Sequence, residues 1–188
     1  MSTVQSLRPG VLLTGVILLT LGVHAVAQTE TREAALPNFH MVNANLYRGA
    51  QPKTGGLKRL REIGVRTIVN LRGGDDHTRE EEQEAGTLGL RYYNVALPEF
   101  SKPKSQDVQR ALDVINAPEN QPVFVHCRRG ADRTGTIVAA YRITHDGWTA
   151  VEAKKEAEKY GMSWTQRGMK HYIDEFYQQT QQRRGNEK

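Results

Sequence analysis

A single cysteine, Cys127, occurs among 188 residues, inside the segment His126-Cys127-Arg128-Arg129-Gly130-Ala131-Asp132-Arg133-Thr134-Gly135. With no second thiol an intramolecular disulfide is impossible, so either a reaction or deep burial must account for this one. The apolar run Pro122-Val123-Phe124-Val125 leads into the segment, and the residues from Thr134 onward read as helix. A loop that joins a buried strand to a helix N-terminus can turn successive backbone N–H groups toward one point, where the helix dipole adds positive potential. Gly130 permits backbone geometry that a side chain would obstruct, and Gly135 lets the helix pack closely. Arg133, six residues after the thiol, can offer two parallel N–H donors to an oxyanion. Together these groups favour a thiolate. A thiolate inside an anion cradle suits in-line attack on a phosphoryl group, with Arg128 to Arg133 holding the oxygens as charge builds. Thr134 can donate its hydroxyl to the departing sulfur, cap the helix, or both. No metal is required, and no ligand set for one is visible.

The elements that must position this loop are legible from periodicity. Leu46-Tyr47-Arg48 reads as a short strand before the breakers Gly49-Ala50-Gln51-Pro52. Leu57, Leu60 and Ile63 recur at helical spacing, and Gly64 stops that helix. Val65 to Leu71 is a buried β-branched strand. Thr78 to Leu88 is a charged, exposed helix whose Glu80-Glu81-Glu82 run reads as a solvated face. Tyr92 to Leu97 is the next strand, and Ser105 is the expected N-cap of a helix facing inward through Val108, Ala111, Leu112 and Ile115. Helices are expected at Thr134–Ile143, Thr149–Tyr160 and about Thr165–Gln182. The last carries a core stripe of Met169, Tyr172, Ile173, Phe176 and Tyr177. Strands alternating with helices predict a three-layer α/β fold with a mainly parallel central sheet flanked by helices. In such sheets ligands bind at the carboxyl ends of strands, where Val123–Val125 delivers Cys127.

The termini carry a different message. Arg8 precedes an apolar stretch from Val11 to Val26, and Ala25-Val26-Ala27 fits a signal-cleavage site, so residues 1–27 read as a signal peptide cut after Ala27. The expected location is periplasmic or secreted. An uncleaved segment would instead leave the protein membrane-anchored and facing outward. Residues 28–42 read as a polar tether, 43–182 as the catalytic domain and 183–188 as a polar tail. The composition is that of a soluble domain. The net charge of +5 suits anionic partners, but Lys and Arg form no run interleaved with aromatics, which argues against nucleic acid.

The loop resembles the signature of the protein tyrosine phosphatase superfamily: His-Cys, five residues, then Arg and Ser or Thr. His126, Cys127, Arg133 and Thr134 match it, with Gly130 and Gly135 in register. Leu46-Tyr47-Arg48 with Gln51-Pro52, Thr67-Ile68-Val69-Asn70-Leu71-Arg72 and Ala139-Ala140-Tyr141-Arg142 look like the small bacterial and dual-specificity branch, over about residues 43–180. The resemblance implies a two-step reaction through a phosphocysteine with no cofactor, a phosphorylated protein or other phosphoester as substrate, and His126 tuning the thiolate through nearby backbone. It also implies an aspartate general acid on a loop before the signature strand. Leu97-Pro98-Glu99-Phe100-Ser101-Lys102-Pro103 occupies that place without one. Glu99 is the first candidate, Asp132 the second and Asp76 the third, and His77 borders the same cleft. Arg128 and Arg129 suit either a multiply charged substrate, such as a phosphoinositide or inositol phosphate, or any phosphoester. No long insertion is present to build a deep phosphotyrosine-selective wall, which favours dual specificity. Arg133 and the Thr-Gly after it speak against a rhodanese-like sulfurtransferase, and the lack of a separate histidine base against a cysteine protease. A pseudophosphatase, the non-enzymatic alternative, typically lacks the Cys or the Arg.

Overall fold

The strand that ends at Cys127 is the hub of the sheet. The computed structural model describes residues 35–186, so the export reading of residues 1–27 lies outside the described residues. In chain order the elements are β1 (His40–Asn43), β2 (Leu46–Ala50), α1 (Gly56–Glu62), β3 (Thr67–Asn70), α2 (Asp76–Thr87) and β4 (Arg91–Asn94). Then follow α3 (Ser105–Asn116), β5 (Val123–Cys127), α4 (Asp132–Tyr141), α5 (Ala150–Lys159) and α6 (Arg167–Asn186). The sheet order is β1-β2-β5-β3-β4. Only β1 runs antiparallel, against β2; β2, β5, β3 and β4 are mutually parallel. The three-layer, mainly parallel α/β arrangement expected from the sequence is the observed one.

Because side chains alternate along a strand, β5 feeds two separate cores. Val123, Val125 and Cys127 join the larger one, with Val69, Val108, Leu112, Ile137 and Tyr172. Phe124 points the other way, into a smaller core with Leu57, Leu60, Ile68, Ala85 and Leu90 from the α1 and α2 side. In register Ala50 lies beside Cys127, while His126 lies between Gly49 and Asn70. β2 therefore ends level with the thiol and β3 one residue before it, and their carboxyl ends open one edge.

Several sequence expectations change. The stretch 28–42, read as a tether, contains β1 from His40 onward, and Leu36 before it is fully packed. Residues 183–186, read as tail, continue α6. Ser105 is the first residue of α3 and not its cap; Lys104 holds that position with no side-chain capping bond. Glu81 turns inward, because Thr78, Glu81 and Ala85 form the buried stripe of α2. Among the described residues no helix is long and apolar enough to cross a membrane.

Thr149 caps α5 in a reciprocal capping box. Its hydroxyl accepts from the Glu152 N–H, and the Glu152 carboxylate accepts from the Thr149 N–H at 2.8 Å. That backbone bond, reinforced by the Thr149 hydroxyl, holds the Glu152 carboxyl below its ordinary value. A depressed carboxyl stabilises the fold above its unfolded value, and the contribution is lost as pH falls through the folded one. Thr149→Ala is expected to cost about 1 kcal/mol near neutrality. The gap to wild type should narrow in acid, as pH falls through the lowered Glu152 value, measured by urea unfolding at neutral and acid pH.

Candidate active site

At the carboxyl edge of the sheet, residues 128–131 turn between β5 and α4, and Arg128 and Arg129 line a cavity of about 400 Å³. Cys127 and Arg133 line it, only 2% and 8% exposed. Arg128, Arg129 and Asp132 come from the same loop. Glu99 and Phe100 contribute from the β4–α3 connection, and Ser163, Thr165 and Gln166 from the α5–α6 connection. Among the described residues, the N–H groups of residues 128 to 131 donate to no protein acceptor. Unpaired amides, a helix start and Arg133 around one thiol make an anion-binding arrangement.

The loop takes this shape because its underside is fixed. Gly130 has φ 68°, and a methyl group there would lie 2.3 Å from the Gly49 carbonyl carbon and 2.4 Å from the Ala50 nitrogen. Only glycine meets both demands. With the loop pressed onto β2, the Gly130 carbonyl accepts from Arg48 Nη2 at 3.0 Å and from Asn38 Nδ2 at 3.2 Å. Asn38, itself at positive φ, also donates to the carbonyls of Arg129 and Tyr160. The His40 Nε2–H donates back to Asn38 Oδ1 at 3.1 Å, and its ring packs on Tyr160. Burial, then the charges of Arg48 and Lys159, lower the His40 pKa, which favours the neutral ring.

Arg48 is the least expected member of the set. It is 1% exposed, its guanidinium lies 4.6 Å from the centre of the Tyr160 ring, and its Nε and Nη1 have no hydrogen-bond partner. Burial is the main cause that lowers its pKa to about 10, and Glu156, Tyr160 and Cys127 oppose the shift. It remains a cation at neutral pH, beneath the loop that holds the thiol.

His126 and Thr134 are not exposed to the cavity. His126 is fully buried on the opposite face of the sheet and stacks on Phe124. Its Nε2 lies 3.3 Å from Glu81 Oε2, which accepts hydrogen bonds from Asn70 Nδ2 at 2.9 Å and the Tyr92 hydroxyl at 2.8 Å. Burial, then the Glu81 charge, push the Tyr92 phenol well above its ordinary value, so it remains a donor. The expected backbone bond from the His126 ring is not made; a buried carboxylate network stands there instead. Thr134 makes no helix cap either. Its hydroxyl is buried and unpartnered.

The carboxylate candidates separate. Glu99 is exposed at the cavity rim, and its backbone carbonyl accepts from Gln166 Nε2 at 3.1 Å. Asp132 lines the cavity too, but one oxygen accepts from the Ser163 N–H at 2.8 Å and the other from Arg129 Nη2 at 2.5 Å. Asp76 is not brought to the cavity; it lies exposed on α2, paired with Arg79. Sequence reasoning missed Asn38, Arg48 as loop support, Glu81 and Gln166. A charged residue inside a β-pattern was the one available signal, at Arg48. Among the described residues no group of three or more His, Cys, Asp or Glu side chains is placed to hold a metal ion.

A family profile described as DSP-PTPase phosphatase fused to NAD+ kinase matches residues 23–178. The chain belongs to the DSP-PTPase family. Among the relatives of this DSP-PTPase, the dual specificity protein phosphatase TpbA of Pseudomonas aeruginosa is 28% identical over 155 residues, 78% of this chain and 68% of the relative. The inositol diphosphatase DSP5 of Arabidopsis thaliana is 29% identical over 150 residues, 74% of this chain and 70% of that protein. In fold, the catalytic domain of the Saccharomyces cerevisiae PP-IP phosphatase SIW14 superposes with a TM-score of 0.69 at 22% identity, covering 80% of this chain and 91% of that one.

Arg48→Met removes the buried charge and leaves Asn38 to serve the Gly130 carbonyl. Since an unpaired buried cation carries a desolvation cost, the urea midpoint is expected to hold or rise. Loss of a charge-assisted bond to the loop is expected to lower kcat/KM about tenfold on an aryl phosphate.

Proposed function

We propose that this DSP-PTPase hydrolyses phosphomonoesters through a phosphocysteine intermediate, as a dual-specificity phosphatase. One observation carries the reading: the sole thiol lies at the base of a cavity whose loop amides are unpaired and which Arg133 enters. In the first step the Cys127 thiolate attacks phosphorus and the bond to the leaving oxygen breaks, while a carboxylic acid protonates that oxygen. The loop amides of residues 128 to 133 and the Arg133 fork hold the three equatorial oxygens as charge spreads onto them. In the second step water attacks the phosphocysteine, the same group, now a carboxylate, takes its proton, and phosphate leaves with the thiolate restored. The buried, unpartnered Thr134 hydroxyl suits hydrogen bonding to the departing sulfur.

Glu99 is the general acid in this reading, because its carboxylate is exposed at the rim and Asp132 already accepts hydrogen bonds at both oxygens. The low walls at Glu99 and Phe100, the latter 80% exposed, support a cleft open to phosphoserine and phosphothreonine as well as phosphotyrosine. The names of TpbA and DSP5 support two substrate classes, phosphoproteins and phosphorylated inositols. The character of residues 1–27 supports action outside the cytoplasm.

Cys127→Ser is expected to abolish turnover of p-nitrophenyl phosphate; retained activity would sink the mechanism. Glu99→Gln should lower kcat about 100-fold on phenyl phosphate, whose leaving group needs a proton. On p-nitrophenyl phosphate the loss should stay within about threefold. Equal, small losses on both would remove Glu99 from the role.

A further inference from the structure

A second cavity, of about 590 Å³, adjoins the first across the catalytic loop. Arg128 and Arg129 line both, and Lys53 and Arg72 complete the charged wall of the second, with the His77 ring beside them. No aspartate or glutamate lines it. The cations are not equivalent. Arg72 bonds Gln51 and Asp75, and Arg129 bonds Asp132, so much of their charge is answered within the protein. Lys53 and Arg128 have no carboxylate partner among the described residues, and they face this cavity from opposite elements. The lysine's loop is seated, because the Lys53 N–H donates to the Ala35 carbonyl at 3.0 Å and the Gln51 N–H to the Arg128 carbonyl at 3.4 Å. A free cation on a held loop loses less entropy on binding than one on a mobile loop.

We propose that this cavity is a second anion subsite, which takes a phosphoryl group of the same substrate next to the one being cleaved. This inference rests on the phosphatase reading of the Cys127 cavity and narrows its substrate. Arg128 lines both cavities and carries five donors in a planar fork, so one side chain can touch both phosphates only if they are close neighbours. That condition describes a small, multiply phosphorylated ring, such as a free inositol polyphosphate or the headgroup of a phosphoinositide. An exposed lysine that makes no ion pair among the described residues, beside a nest that is already cationic, raises affinity for the second phosphate without touching the reacting atoms.

The test uses the full chain, its Lys53→Glu and Lys53→Arg variants, and four probes. These are p-nitrophenyl phosphate, an inositol monophosphate, a soluble inositol trisphosphate with adjacent phosphates, and a phosphatidylinositol bisphosphate in phosphatidylcholine vesicles. Lys53→Glu is expected to lower kcat/KM for the trisphosphate about tenfold, as loss of one charge-assisted contact does. The two monophosphates should stay within about twofold, and Lys53→Arg should restore the trisphosphate. A matching loss on the vesicles assigns headgroups to the subsite as well, whereas a loss on soluble probe alone assigns the free sugar phosphate. Equal losses on all probes, no loss on any, or a loss on vesicles alone would overturn the subsite. Absence of p-nitrophenyl phosphate turnover by the wild type would overturn the phosphatase reading itself, a separate failure.

Discussion

The close approach of Gly130 to the Gly49–Ala50 backbone governs the rest of the site. A loop can aim its amides at one point only if something holds its carbonyls elsewhere, and here β2 and the segment before β1 do so. Arg48 and Asn38 take the Gly130 carbonyl from below, which leaves the amide edge of the loop turned to the cavity. The parallel pairing of β2 with β5 then matters for more than sheet stability. It brings Ala50 level with Cys127 and puts the glycine contact under the nucleophile. At Gly135 a methyl group would come within 3.1 Å of Ala157 Cβ, so α4 also begins against a tight neighbour.

How much of this was legible depended on where the sequence makes itself redundant. β3 and β5 were visible because they are buried on both faces around the apolar runs Ile68-Val69 and Val123-Phe124-Val125, and α6 because its stripe repeats at helical spacing. Cys127 and Arg133 stood out through a spacing that only a closed loop makes meaningful, whereas Glu99 was proposed only as the carboxylate nearest to where the family resemblance places a general acid. β1 was missed because His40-Met41-Val42-Asn43 is short, mixed and partly exposed, which is what an edge strand needs to be. Glu81 was hidden inside a run of identical residues; composition calls for solvent, and only the Thr78, Glu81, Ala85 spacing separates it from its neighbours. Asn38 gave no local signal for its role under the loop, since the bonds its Nδ2 donates go to residues more than 90 positions away.

Alternation along β5 gives the two signature residues opposite surroundings. Cys127 belongs to the larger core and opens to the anion cavity, while His126 is sealed in the smaller one beside Glu81, Asn70 and Tyr92. A carboxylate buried with three polar neighbours is costly unless its bonds are kept intact. The network therefore resists displacement of β5 relative to β3 and α2, which is the displacement that would carry the thiol out of register with its loop. The flanking layer acts on the chemistry through geometry, without contributing an atom to the cavity.

Asn38 also bears on where the smallest working unit of this protein begins. The sheet can be drawn from Leu46 onward, and a fragment cut there would retain the cysteine, the arginine and every helix of the described domain. It would also strip donors from the Arg129, Gly130 and Tyr160 carbonyls and the cover from Phe124. Such a trimmed domain would keep its overall shape while its catalytic loop lost half its footing. Truncation boundaries for this family are better set by tracing what supports the loop than by the outline of the sheet.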